Sequence, residues 1–371
     1  MYGLLLSVAM FVSAFFLVYH QADNSYTSDT FPHIVFLYKY FYGTEPFYIP
    51  HPLWHLGTLT TAKILHISIE NAAAFFSAMM VVWWSILVYV VVMKSLKNMP
   101  PKFILLITVS ILFIGPLCIP WYHKLVFWGQ GSPNIWHNVT LWAVKPFALL
   151  GMLYIIKAIK SDRTHDYIMG LLFVVISIFA KPSFIIMFLP ALLLFAWLKK
   201  IYTSKFIRFY LILSVISIAI LLYQYAHTFN TADSHIVFDF GGVWSVTSTN
   251  IPISILLGLA FPLLLLVIYP ESIRDDYLLL SWLQILIGLC YAMCLAQSGK
   301  YYSHGNFMWS YVLAMSLLYL FSIVKFFQVI HLISPVRRYL LLALLAIQTL
   351  TGLYYFIRVI QGINPLYVTL M

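Results

Sequence analysis

Eleven apolar runs alternate with polar connections along the chain, at residues 3–19, 71–93, 103–120, 139–156, 167–180, 183–198, 206–223, 252–269, 277–297, 307–327 and 339–359. A run of about 20 apolar residues is long enough to cross bilayer hydrocarbon as a helix, and a helix satisfies its own backbone where no water can. The pattern predicts an all-α integral membrane fold of about 11 transmembrane helices. The run 167–180 is short and joins the next through Lys181-Pro182, which predicts a broken helical hairpin. Residues 20–52 interrupt the alternation: directly after the first run the chain turns polar and aromatic and ends in Pro50-His51-Pro52-Leu53-Trp54-His55. Residues 31–42 are amphipathic, and 53–66 are too short and polar for a comfortable crossing, so both read as interfacial helices in a long first loop reaching about residue 70.

Composition narrows the class. The 371 residues are 63% hydrophobic and 9% charged, with a mean hydropathy of +0.93, which excludes a soluble domain with a water-facing surface. No fixed-period repeat and no linker to a soluble domain is present, so 1–371 reads as a single polytopic membrane domain. Residues 1–19 lack a basic start and a small-residue cleavage site and read as a retained span. Cys118, Cys290 and Cys294 fall within predicted spans and imply no disulfide framework.

The net charge of +10 does not point to nucleic acid, because the basic residues stand in pairs and triplets at span ends rather than in one patch. With the amino terminus cytoplasmic, fourteen of the twenty-one, running from Lys94 to Arg338, fall on the inner side. Counting 53–66 as a crossing would put Lys94, Lys97 and Lys102 outside. Ten of the twelve histidines, and Asp23, Asp29, Glu45, Asp233 and Asp239, fall on or near the outer side, so chemistry is expected on the extracytoplasmic face.

Four features of layout then line up. One span is followed by a long outer loop with an early acidic residue, Ser28-Asp29, and His33 one turn on. That loop ends in His51-Pro52-Leu53-Trp54-His55-Leu56, leading into an interfacial helix. A second crossing opens on small residues, Asn71-Ala72-Ala73-Ala74, and closes at Lys94. A short-span, Lys-Pro, short-span hairpin runs from Ala180-Lys181-Pro182-Ser183 to Lys199-Lys200. Over roughly residues 1–200 this layout resembles the GT-C superfamily of polytopic glycosyltransferases, which includes protein O-mannosyltransferases and lipid A aminoarabinose transferases. Leu53 stands where the family usually has a second proline, and no arginine opens the second crossing near Glu70 and Asn71. The resemblance implies a GT-C-like fold, a polyprenyl-phosphate-linked sugar donor, and a catalytic acid at Asp29.

Glycosyl transfer to a hydroxyl needs a base for the acceptor proton and groups that stabilise the departing phosphate. Asp29 is the candidate base; its structural alternative is an N-cap for the helix beginning near Phe31. Lys181 and Lys145 each precede a proline within or between spans, where an unpaired charge is costly, and with His304 they are the candidates for donor phosphate. Snorkelling to the headgroups is the alternative for the lysines. Glu45, Asp233, Lys124 and Lys300 read as turn, loop or headgroup residues at least as well as chemical ones. His33, His51, His55, Trp136, His137 and Asn138 are the candidate sugar and acceptor pocket, the last three from a Trp- and amide-rich segment, 128–138. Asn138-Val139-Thr140 also fits a glycosylation sequon, but it abuts a span.

The i,i+4 pairs Asp29/His33 and His51/His55 raise a competing zinc site, without cysteine ligands or a His-Glu-x-x-His motif. No cofactor is certain, and a divalent metal stays open. The expected partners are a polyprenyl-phosphate sugar donor, a glycan, lipid or protein acceptor, and membrane lipids, and the expected location is a bacterial plasma membrane. The rival classes are a glycolipid or polysaccharide transporter or flippase, for which the spans carry few mid-membrane charges and no inverted repeat, and a polysaccharide polymerase or ligase of another membrane fold.

Overall fold

A computed structural model describes residues 1–23, 28–43, 48–119, 125–127, 129–228, 235–364 and 368–369, apart from the side chains of residues 300 and 301. Glu45, His123, Lys124, Trp128, Asp233 and the Lys300 side chain lie outside the described residues. The described chain is almost entirely helical: α1 (Tyr2–Gln21), α2 (Thr30–Tyr42), α3 (Leu53–Leu65), α4 (Ile69–Ser95), α5 (Pro101–Phe113), α6 (Val139–Ser161), α7 (Thr164–Ala180), α8 (Ser183–Leu198), α9 (Ser204–Thr228), the single turn α10 (Gly242–Ser245), α11 (Ile251–Gly258), α12 (Ala260–Ile268), α13 (Asp276–Cys294), α14 (Met308–Val329) and α15 (Pro335–Ile360). Strands β1 (Ile236–Phe238) and β2 (Leu295–Gln297) form an antiparallel pair that ties the segment after α9 to the end of α13.

Among the described residues, seven helices, α1, α4, α6, α9, α13, α14 and α15, are long and apolar enough to cross a membrane, and α11 with α12 adds an eighth if that pair, bent by 73°, is one span. The chain is a helical integral membrane protein. α5, α7 and α8, read as crossings in the sequence, are shorter apolar helices. The apolar run expected over 103–120 stops being helical at Phe113, and its continuation pairs with other elements instead: Gly115 N–H donates to Gln348 O and Leu117 N–H to Leu257 O. Those two bonds satisfy backbone donors that the helix no longer pairs.

Start signals are local. Ser68, Asn138, Asn250 and Asp275 cap their helices by accepting backbone N–H bonds, and prolines open α5 and α15. α1 packs along α4, α6 along α7, and α13 along α14, with α6 and α14 enclosed by the others. The outermost helices show apolar side chains outward, among them Val8, Val12 and Phe16 of α1 and Val215 and Leu222 of α9, a surface suited to lipid.

Alternating helix directions give the bundle two chemically different ends. Lys157–Asp166, Lys160–Asp276–Lys199, Lys205–Asp162 and Lys325–Asp275 ion pairs join the end of α6, the start of α7, the end of α8, the start of α13 and the end of α14. At the opposite end lie the end of α1, the start of α6, the α7–α8 junction, the start of α14 and the end of α15. The short helices α2 and α3, at the positions expected for interfacial helices, pack at this second end against α1 and α4.

Candidate functional site

The site grows from one capping residue. Asn138 begins α6 with its Oδ1 accepting Leu141 N–H at 2.8 Å and the Thr140 hydroxyl at 2.9 Å. Because the oxygen is fixed on the helix, the amide Nδ2 is forced outward, and it donates to Asp29 Oδ2 at 2.6 Å. Asp29 N–H also donates to the His137 carbonyl at 3.1 Å, so the start of α2 is sewn to the start of α6. Asp29 does stand at the N-cap position of α2, yet its side chain makes no capping bond. The half-buried carboxylate is held by the start of α6 rather than by its own helix.

Behind it, Gln21 braces both segments, donating to Trp136 O at 2.6 Å and accepting from the Thr30 hydroxyl at 3.0 Å. Lys181 enters from the α7–α8 junction. A residue before proline is driven out of helical geometry, and Lys181 is accordingly extended (φ −167°, ψ 126°), ending α7 and leaving its side chain buried against the start of α6. Its Nζ donates to Thr140 Oγ1 at 3.0 Å and lies 3.5 Å from Asn138 Oδ1 and 5.0 Å over the Trp309 ring. Burial lowers its pKa to about 8, opposed by the Asp29 charge. At neutral pH it is an ammonium ion held by neutral oxygens and an aromatic face, with Asp29 as the nearby counter-charge. That arrangement leaves room in its field for an anionic ligand.

The histidines close the cluster. His137 is buried, its Nδ1 3.1 Å from the Tyr355 hydroxyl, and burial lowers its pKa to about 4 against the pull of Asp29. From α2 and α3, His33 Nδ1 approaches His55 Nε2 at 3.1 Å, and His51 lies 6.2 Å from the His33 ring. Trp54 packs against His33 and His55 while its indole donates to Ser77 Oγ at 2.8 Å, which fixes the α3 side of the group on α4. Crowding by protein lowers the pKa of all three imidazoles, His55 to about 4; for His33 the neighbouring His55, His51 and Lys181 add to the effect, and for His51 Lys181 and His55 do. Residues 29, 33, 51, 55, 137, 138 and 181 therefore share one electrostatic environment although up to 152 positions separate them.

Two of the expected site residues, Lys145 and Trp136, play other parts. Lys145 is buried within α6, donating to Pro133 O at 2.9 Å and Asn134 Oδ1 at 3.3 Å, with its ammonium over the Trp84 ring. It holds the 133–134 turn rather than joining Lys181. Trp136 is packed against Trp142, Phe113 and Phe356, and its carbonyl, not its ring, serves the site through Gln21. With Lys145 it lines a separate cavity of ≈ 20 Å³, room for about one water. His304 is exposed at the end of a short 3-10 turn and supplies none of the contacts described above.

Among the described residues, no three His, Cys, Asp or Glu side chains are placed to hold a metal ion. The Asp29/His33 and His51/His55 pairs do not combine as a zinc site, since Asp29 turns to Asn138 while His33 turns to His55. Sequence reasoning missed Thr140, Tyr355 and Trp309. Thr140 carries a signal in its i+2 spacing from the capping Asn138; the two aromatics, inside apolar runs, are indistinguishable there from packing residues. No family model, curated protein or solved structure matches the chain.

Proposed function

We propose that this protein is an integral-membrane glycosyltransferase of GT-C type that moves a sugar from a polyprenyl-phosphate-linked donor to an acceptor hydroxyl on the extracytoplasmic face. The observation that carries the reading is the pairing at one end of the bundle of a carboxylate, Asp29, whose orientation is set by Asn138, with a buried ammonium, Lys181, held by the same asparagine and its neighbour Thr140. Base and phosphate stabiliser are what transfer to a hydroxyl requires, and here one capping residue fixes both.

In this scheme Asp29 accepts the proton of the acceptor hydroxyl as its oxygen attacks the anomeric carbon from the face opposite the phosphate. The carbon–oxygen bond to phosphate breaks, its electron pair leaves with the phosphate oxygen, and configuration inverts. Lys181 stabilises the charge developing on that oxygen. His137 and Trp309 flank the Asp29–Lys181 pair from the α6 and α14 sides. α5, α7 and α8 complete eleven crossings, and the inner end of the bundle is the one knitted by Lys–Asp pairs, as the excess of basic residues there favours. A bacterial plasma membrane suits the compact loops.

The test is to incubate the purified chain in lipid nanodiscs with a panel of polyprenyl-phosphate sugars and follow loss of each lipid-linked donor. Consumption of at least one donor, with release of polyprenyl phosphate, is expected. Ion or glycolipid translocation without donor cleavage would replace this reading with a transporter.

A further inference from the structure

His33, His51 and His55 take no step in transfer, yet their arrangement is specific. The His51 backbone carbonyl raises the His55 pKa against the effect of burial, His55 Nδ1 has no hydrogen-bond partner, and we assign the ring proton to Nδ1. With that proton on Nδ1, His55 Nε2 is the acceptor and His33 Nδ1–H is the donor across the 3.1 Å contact. His33 Nε2 is then left with a bare lone pair, able to take a proton and become a second N–H donor. Lys181 from the α7–α8 junction is the charged group facing this trio; Asp29 and His137, from the segments joined at Asn138, face Lys181 and one another, Asp29 also faces Tyr355 of α15, and Glu70 of α4 is engaged by the Tyr38 hydroxyl at 2.7 Å. The cluster thus holds one carboxylate, an ammonium and four imidazoles, an excess of groups that can carry positive charge.

A donor phosphodiester carries one negative charge, whereas the released phosphate monoester carries between one and two near neutral pH. The site must therefore hold more negative charge after transfer than before it. We propose that His33, His51 and His55 with Lys181 form a seat for a phosphate monoester, which retains the departing polyprenyl phosphate as a dianion by taking a proton from water onto the imidazole group. This rests on the transfer reading above. Charge and atoms balance: the hydroxyl proton passes to Asp29, which gives it up to water and returns to its carboxylate, His33 takes a proton from water, the acceptor oxygen gains the sugar, and imidazolium faces the dianion. Because the imidazoles are neutral in the empty site, occupation by a monoester draws protons from solution, and binding tightens as pH falls until the phosphate itself is protonated.

The experiment is calorimetric titration of the full chain in nanodiscs at pH 7 with farnesyl monophosphate and, separately, inorganic phosphate, in buffers of different ionisation enthalpy. Uptake of roughly one proton per farnesyl monophosphate is expected, with affinity falling up to about tenfold per pH unit above 7. Equal uptake with inorganic phosphate identifies the phosphate group alone as the ligand; binding of the farnesyl ester only identifies a lipid-borne phosphate, and both support the seat. His33→Gln, which keeps a donor toward His55, and His51→Asn should each bind with markedly less proton uptake while retaining the wild-type thermal transition. Binding without proton uptake, uptake unchanged in both variants, or no binding of either probe would overturn it. Turnover of a lipid-linked sugar with proton-neutral product binding would discard the seat and leave the transferase, whereas proton-coupled binding with no turnover of any donor would keep the seat and discard the transferase.

Discussion

At the scale of single residues, Asp29 and Asn138 make a pair whose members can be separated. Asp29→Asn removes the base but keeps a side chain of the same shape beside Asn138, so insertion and folding should persist while turnover falls by about 10²-fold or more; donor-loss assays on the purified variant check this. Asn138→Asp keeps an oxygen to cap α6 and sets a second carboxylate against Asp29, so its thermal stability should exceed that of Asn138→Ala while turnover is lost in both. Asn138→Ala should cost about 1 kcal/mol through the missing cap alone. Lys181, with its pKa lowered to about 8, is charged below that pH and loses its charge above it. The KM for donor should therefore rise as pH climbs through about 8, and Lys181→Arg should remove that alkaline limb because a guanidinium stays charged. Asp29, His33, His51, His55, His137, Asn138 and Lys181 were legible in the sequence because polar groups stand out beside apolar spans. Trp309 and Tyr355 were not, because an aromatic ring in a span looks the same whether it meets lipid, core or a lysine.

Elements show where hydropathy stops being informative. The short helices expected over 31–42 and 53–66 were readable from length and polarity, and helices form at Thr30–Tyr42 and Leu53–Leu65. The extended backbone after Phe113 and the 73° bend between α11 and α12 were not readable, since apolar residues line a straight span and a broken one equally. The chain after α5 is received by α15 at Gly352, where an added Cβ would lie 1.7 Å from Phe113 O and 2.6 Å from Gly115 N. Backbone cannot yield as a flexible side chain can, so Gly352→Ala should separate α5 from α15 and destabilise the fold by about 1–3 kcal/mol or more. A lowered thermal midpoint with a retained wild-type response to pH is the expected readout. The α2–α3 histidines have a different signature. Their folded-state pKa values lie below the ordinary 6.5, so an unfolded chain takes up their protons first. Their contribution to stability is intact above about pH 6.5 and is lost as pH falls toward their folded-state values; thermal unfolding from pH 7.5 to 5 should show the decline, and His55→Gln should reduce it.

For the whole molecule, two ends with opposite chemistry follow from the alternation of helices. The end knitted by Lys157, Lys160, Lys199, Lys205 and Lys325 carries ion pairs between helix termini, and the other carries the Asp29–Lys181 cluster and the imidazoles. In a cysteine-free background, a cysteine at Ser303 should react with a membrane-impermeant thiol reagent from the extracytoplasmic side, and one at Lys200 should react only after permeabilisation; both positions are exposed. The opposite labelling would invert the sidedness and with it the need for a lipid-linked donor. The most direct measurement compares wild-type and Asp29→Asn chains, matched for folding, in nanodiscs supplied with polyprenyl-phosphate sugars and an acceptor. Cleavage of a lipid-linked donor by the wild type with inversion at the anomeric carbon, absent in Asp29→Asn, is the predicted result, and equal donor cleavage by the two chains would contradict it.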